Sequence, residues 1–182
     1  MKPKLFIIFA LLLISFQTIM AQENNKRILI AYFSATGTTE QVAGKLAKVT
    51  GGELFEITPS KAYTDADLDW NDKKSRSSVE MNDAKSRPQI KNKKENIADY
   101  DIIFIGYPIW WDLAPRVVNT FIESHDLKGK TVIPFATSGG STITGSVTAL
   151  KKLYPDLKWK PGRLLNRADE NTIRAWFESV EY

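Results

Sequence analysis

The chain has 182 residues, 43% of them hydrophobic, and a formal net charge of +4, which suits one domain with its own core. That mild charge, with the basic residues of Lys73–Lys94 interleaved with polar ones rather than with stacking aromatics, argues against a nucleic-acid partner. The absence of cysteine excludes disulfides, thiolate metal sites and a cysteine nucleophile. The one histidine, His125, leaves little for metal or triad chemistry and reads as a surface or helix-end residue.

Residues 1–21 read as a cleaved export signal. Lys2 and Lys4 form a basic start, Leu5–Ile14 is an uncharged apolar run too short to span a membrane comfortably, and Ile19-Met20-Ala21 ends in a small residue. Cleavage after Ala21 leaves residues 22–26 as a short leader and 27–182 as the domain, exported to the periplasm or secreted, with no membrane span. No cysteine follows the apolar run, which excludes a lipid-attached start.

The stretch Arg27–Thr39 passes from an apolar strand into a loop of small and hydroxylated residues, Ser34-Ala35-Thr36-Gly37-Thr38-Thr39, and then into a helix over Glu40–Val49. Such a loop aims backbone N–H groups and a helix N-terminus at one point, which suits an anion. It lacks the lysine of a Walker loop and the G-x-G-x-x-G spacing of a dinucleotide fold. Alone, it reads equally as a well-capped strand–helix turn, with Thr38 or Thr39 as the cap.

Gly51-Gly52 ends the helix, and Glu53–Thr58 alternates as a half-buried strand would, stopped by Pro59. This βαβ unit implies a parallel sheet. Thr64–Ile97 is polar and reads as structural padding, one or two surface helices anchored by Leu68, Trp70, Val79 and Met81 and ended at Arg87-Pro88. Asp101–Tyr107 is a near-continuous apolar run, as expected of a central parallel strand. It enters Pro108-Ile109-Trp110-Trp111-Asp112-Leu113, and Pro115 suits the first turn of the helix that follows. Lys130–Thr137 is a fourth strand, followed by Ser138-Gly139-Gly140-Ser141-Thr142 and a helix over Gly145–Leu153. Leu157–Trp159 is a short edge strand, and Glu170–Val180 an amphipathic helix facing inward through Ile173, Trp176, Phe177 and Val180.

The alternation predicts an α/β fold, a three-layer doubly wound five-stranded parallel sheet. A ligand then lies beyond the carboxyl ends of the strands, where strand order reverses. In the order 2-1-3-4-5 that point lies between the first and third strands, so the hydroxyl-rich loop faces Tyr107–Leu113. Tyr107, Trp110 and Trp111 exceed what the core beside a helix start accommodates, and they suit a flat heteroaromatic ring whose phosphate sits in the first loop.

Three features together resemble the flavodoxin family, and within it exported bacterial flavodoxin-like proteins: S-A-T-G-T-T as the phosphate loop, G-Y-P-I-W-W as the first ring loop and T-S-G-G-S as the second. The resemblance spans Arg27–Tyr182 and implies non-covalent FMN with an electron-transfer or quinone-reductase-like role. It assigns Ser34, Ala35, Thr36, Gly37, Thr38 and Thr39 to the phosphate. Tyr107, Pro108, Ile109, Trp110 and Trp111 go to the ring, with Trp110 or Trp111 stacking, and Thr137, Ser138, Gly139 and Gly140 to its other edge. It implies no catalytic acid, base or nucleophile and no metal, because a flavin carries its own redox chemistry. The implied partners are a redox protein or a small quinone-like acceptor, with the protein a monomer or weak dimer. Two departures favour a small acceptor: the chain is slightly basic where carrier flavodoxins are acidic, and the third loop lacks the aromatic that often covers the ring. The other reading is a flavodoxin-fold binding module that does not use flavin.

Overall fold

The computed structural model describes residues 26–182; the expected export signal, 1–21, and all of the expected leader but Lys26 lie outside the described residues. In chain order the elements are β1 (Ile28–Tyr32), α1 (Thr38–Thr50), β2 (Glu53–Glu56), α2 (Arg76–Asn82), β3 (Ile102–Pro108), α3 (Arg116–Ser124), β4 (Thr131–Thr137), α4 (Thr144–Leu153), β5 (Lys158–Trp159), β6 (Arg163–Leu164) and α5 (Glu170–Ser179). Every strand pairing is parallel and the order is the expected 2-1-3-4-5.

Strand alternation sorts the apolar residues into two cores. Leu29, Ala31, Ile103, Ile105, Val132 and Ala136 face one side, covered by Val117, Val118, Phe121 and Ile122 of α3 and Leu150 of α4. Ile30, Ile102, Phe104, Ile133 and Phe135 face the other, against Val42, Ala43 and Leu46 of α1 and Ile173 and Trp176 of α5. Three layers result. Gly106 is required in this packing, because a Cβ there would lie 2.1 Å from the Phe135 ring.

The fifth sheet position differs from the expected single strand. β5 pairs with Thr131 and Val132, whereas β6 pairs with Phe135 and Ala136. Val132 O and Ala136 O accept bonds from Lys160 N and Leu165 N at 2.9 and 2.8 Å. Alternation therefore turns Pro134 toward the same edge, where it has no N–H to take part in a ladder. The edge strand breaks opposite it, at Pro161-Gly162. β2 is also more exposed than expected, with only Phe55 of its four residues partly buried.

The Thr64–Ile97 excursion holds one α-helix, α2, after a 3-10 turn at Ala66–Leu68, and is ordered by short side-chain turns. Asp67 Oδ2 accepts Thr64 N at 3.0 Å, Asp69 Oδ1 accepts Asn71 N at 2.9 Å and Asp72 Oδ1 accepts Lys74 N at 2.8 Å. Arg116, only 7% exposed, donates to Glu80 O and Met81 O near the end of α2 at 3.3 and 2.9 Å. Of the four expected anchors Met81 is buried, but Val79 and Trp70 are exposed, Trp70 at 72%.

His125 sits at the C-terminal end of α3 and is half-buried. Its Nδ1 lies 2.8 Å from Phe121 O, and its Nε2 accepts Lys94 N–H at 2.9 Å. Those partners require a neutral ring protonated on Nδ1, and burial holds its pKa below the ordinary histidine value. A lowered folded-state pKa contributes stability above the unfolded pKa of about 6.5 that is lost as pH falls through the folded value. The melting temperature of the wild type should therefore fall more steeply than that of His125→Gln as pH drops below about 6.5; parallel slopes would contradict the assigned tautomer.

Candidate functional site

The first loop leaves β1 on the same rim as the loops after β3 and β4. Gly37, not Thr38 or Thr39, is the α1 cap: its φ is 83° and no side chain caps the helix. A left-handed residue there suits glycine. The first helical bond runs from Gln41 N to Gly37 O at 3.1 Å, so the N–H groups of Thr38, Thr39 and Glu40 have no partner within the helix. Ser34 Oγ is buried without a hydrogen-bond partner, an arrangement that costs about 1–3 kcal/mol unless a ligand or water completes it. Thr36 and Thr38 are exposed, their hydroxyls 3.4 Å apart. Ala35 packs against the α3-side core.

Thr39 plays another part. Its hydroxyl lies 2.9 Å from that of Thr137, both buried, which joins the first turn of α1 to the end of β4. Each hydroxyl is thus engaged by the other, while both residues line the rim and Thr39 N–H has no partner within the helix.

In the second loop Trp110 and Leu113 exchange backbone bonds of 3.0 and 2.9 Å around Trp111 and Asp112, whose φ values are 47° and 61°. This is a type I′ turn, which glycine and asparagine normally occupy, so Trp111 is held in a costly conformation at its tip. The Asp112 side chain packs against Gly145 in the first turn of α4, where a Cβ would meet Asp112 Oδ2 at 1.9 Å. A carboxylate at a helix N-terminus is favoured by the macrodipole. Trp110 is half-buried and packs edge-on against Phe33 and Tyr63, at 5.6 and 5.3 Å between centroids. The Tyr63 ring in turn lies under the Arg76 guanidinium at 4.0 Å. Trp111 is 47% exposed, which makes it the freer indole for stacking.

Tyr107 does not join this face. It is fully buried, its hydroxyl 3.1 Å from Ser146 Oγ, and burial pushes its pKa up to about 12. Pro108 ends β3, and Ile109 N donates to Thr137 O at 2.9 Å, which fixes the two ring loops to each other.

In the third loop Ser138 Oγ accepts Gly140 N and Ser141 N at 3.1 and 2.8 Å, so the Gly140 N–H is already used. Asn166, after β6, pairs with the Ser138 backbone through bonds of 2.8 and 2.6 Å. A Cβ added at Gly139 or Gly140 would meet nothing within 4 Å.

These loops enclose two cavities. One, of about 570 Å³, is lined by Ala35, Thr36, Thr38, Thr39, Pro108 and Thr137, with Ser138, Gly139, Asn166 and Arg167. The other, also about 570 Å³, is lined by Ile109, Trp110, Trp111 and Ser138 to Ser141, with Leu68, Trp70 and Ser77. They adjoin at Ser138–Gly139. The first is hydroxyl-rich at a helix N-terminus; the second is walled by indoles and carries no charged side chain. Sequence reasoning missed Asn166 and Arg167, which a strand at Arg163-Leu164 would have placed on this rim. It also missed Leu68, Trp70 and Ser77; a tryptophan flanked by Asp69 and Asp72 in turn-forming sequence was the available signal.

The sequence profile of the flavodoxin family matches residues 27–180. No curated protein matches the sequence. Among solved structures, the chain is 68% identical to a protein from Bacteroides eggerthii provisionally assigned as a flavoprotein, covering 86% of this chain and 100% of that one with a TM-score of 0.84. A protein from Bacteroides uniformis, assigned likewise, is 54% identical over the same shares with a TM-score of 0.83. A flavoprotein from Lactobacillus acidophilus, solved in complex with FMN, is 24% identical, covering 84% of this chain and 99% of that one with a TM-score of 0.64, and shows likeness of fold. With the profile matched across nearly all of the described chain and the strand order in agreement, the chain belongs to the flavodoxin family.

Proposed function

We propose that this protein binds FMN across the two adjoining cavities and acts in electron transfer, as a carrier or as a small quinone-type reductase. The observation that carries the proposal is the pairing of a hydroxyl-rich cavity at the α1 N-terminus, lined from Ala35 onward and so next in sequence to the orphaned Ser34, with an indole-walled cavity that adjoins it at Ser138–Gly139. A phosphate fits the first: the Thr36 and Thr38 hydroxyls and the N–H groups of Thr38, Thr39 and Glu40 left without a partner in the helix would hold it, with the buried Ser34 hydroxyl just ahead of this stretch as a further donor. A flat ring fits the second, against Trp111 and beneath the open faces of Gly139 and Gly140.

When bound, FMN supplies the one- and two-electron chemistry, and the chain's part is to bind, orient and shield it. Trp111 and Trp110 would shield the ring face from water, and Trp110 is held by Phe33 and Tyr63. The side chains lining the ring cavity include no cation, so negative charge in that cavity is left without a countercharge and reduction is held to lower potentials. Trp70 stands at the open side, where a small planar acceptor would approach. Turnover of quinones with NAD(P)H would place the protein among reductases, whereas reduction without quinone turnover would place it among carriers.

The purified protein should be yellow, or its apo form should bind added FMN with quenched tryptophan fluorescence and a raised melting temperature; neither response would defeat the flavin reading. Trp111→Ala should weaken FMN binding by about 1–2 kcal/mol with little loss of apo stability. Trp110→Ala should lower apo stability by about 2–3 kcal/mol, because its edge-on contacts are lost. Equal effects of the two on both readouts would refute this division.

The proposal extends to location: the basic start, apolar run and Ala21 support export with cleavage after Ala21. Sequencing the protein recovered from the cell envelope or medium should start at Gln22, and a retained Met1 would contradict it.

A further inference from the structure

We propose that Arg167 is the charge-selecting residue of this site: its guanidinium pairs with the ligand's phosphate and makes the protein prefer the phosphorylated flavin to riboflavin. The inference rests on the FMN reading above and assigns a role to a residue outside the three loops that define the site in sequence.

Arg167 is the one charged residue among those lining the hydroxyl-rich cavity. It has no salt-bridge partner among the described residues, whereas Arg27, Arg76 and Arg87 each pair with a carboxylate. The other cation near this end, Lys45, is committed to Ala168 O at 2.9 Å.

The chain also holds Arg167 in place at a cost. Its φ is 51°, a left-handed conformation that arginine rarely adopts. The residues before and after it are tied down: Asn166 pairs twice with the Ser138 backbone, Leu165 N donates to Ala136 O at 2.8 Å, and Ala168 N donates to Leu165 O at 3.3 Å. The backbone thus leaves the Asn166 amide on the third loop and places the next side chain at the cavity beside Thr36 and Thr38.

A cation has work to do there. The α1 N-terminus contributes partial positive charge, but its first turn also carries Glu40, whose Oε2 lies 4.0 Å from the position a Gly37 Cβ would occupy. A phosphate monoester, bearing close to two negative charges at neutral pH, would sit at the turn that carries this carboxylate, although Glu40 itself does not line the cavity. A guanidinium in the same cavity offsets it and donates charge-assisted hydrogen bonds. Riboflavin, which has no phosphate, gains nothing from it.

Apo wild type, Arg167→Gln and Arg167→Lys would be titrated with FMN and with riboflavin at two ionic strengths, and each would be melted with and without inorganic phosphate. Arg167→Gln should weaken FMN about tenfold, once screening of an exposed pair is allowed for. It should leave riboflavin unchanged and flatten the salt dependence of FMN binding; Arg167→Lys should keep the salt dependence and part of the affinity. An Arg167→Gln protein that binds FMN as the wild type does, or that loses FMN and riboflavin alike, would overturn the assignment. If the wild type binds neither flavin, the FMN reading fails and the phosphate arm decides: stabilisation by phosphate present in the wild type and lost in Arg167→Gln supports Arg167, and equal stabilisation overturns it.

Discussion

The arrangement of the rim depends on one buried hydrogen bond, Thr39 Oγ1 to Thr137 Oγ1 at 2.9 Å. α1 follows β1 and Thr137 ends β4, two strands away in the sheet. Their bond therefore passes across the end of β3, and the Ile109 N to Thr137 O bond draws the β3 loop into the same knot. Because both threonines are buried, loss of either hydroxyl would remove the other's side-chain partner. The knot sets the hydroxyl-rich loop and the indole loop at a fixed separation, which suits a ligand with a flat ring at one end and an anionic tail at the other.

Around that knot, unfavourable local geometry is concentrated where a ligand would sit. Among the described residues, those other than glycine with positive φ are Trp111, Asp112 and Arg167, and all three lie on this rim. Ser34 Oγ adds an unmet hydrogen bond. The two-sided core beneath, with Ile30, Ile103, Ile105 and Phe104 at full burial, supplies the rigidity that keeps such conformations populated. The excursion extends the rim sideways: Arg116 binds the carbonyls of α2, Arg76 covers Tyr63, and Tyr63 supports Trp110.

Much of this was legible in the residue order. Apolar runs at 28–32, 102–108 and 131–137, separated by helix-length segments, left little freedom in fold class, and three loops at the carboxyl ends followed from topology. What resisted reading was set by contacts remote in sequence. Thr39 and Thr137 are alike as hydroxyl donors until the fold sets them against each other. Tyr107 and Trp111 are both aromatic, but alternation along β3 buries the first and the turn exposes the second. Pro134 signalled a fault in the edge ladder only once β4 was known to have a partner on both sides. The polar composition of Thr64–Ile97 described its surface and concealed Leu68, Trp70 and Ser77 at the ring cavity.

The central claim is that the rim is completed by an anion bearing a flat ring, and Ser34 tests it most directly because its hydroxyl has no other partner. Ser34→Ala and wild-type apoprotein would be melted with and without FMN. Apo Ser34→Ala should melt at or above the wild-type temperature, since an unsatisfied buried hydroxyl is removed, while the FMN-induced rise should shrink and the dissociation constant increase about tenfold. A destabilised apo variant whose response to FMN matches the wild type would contradict it.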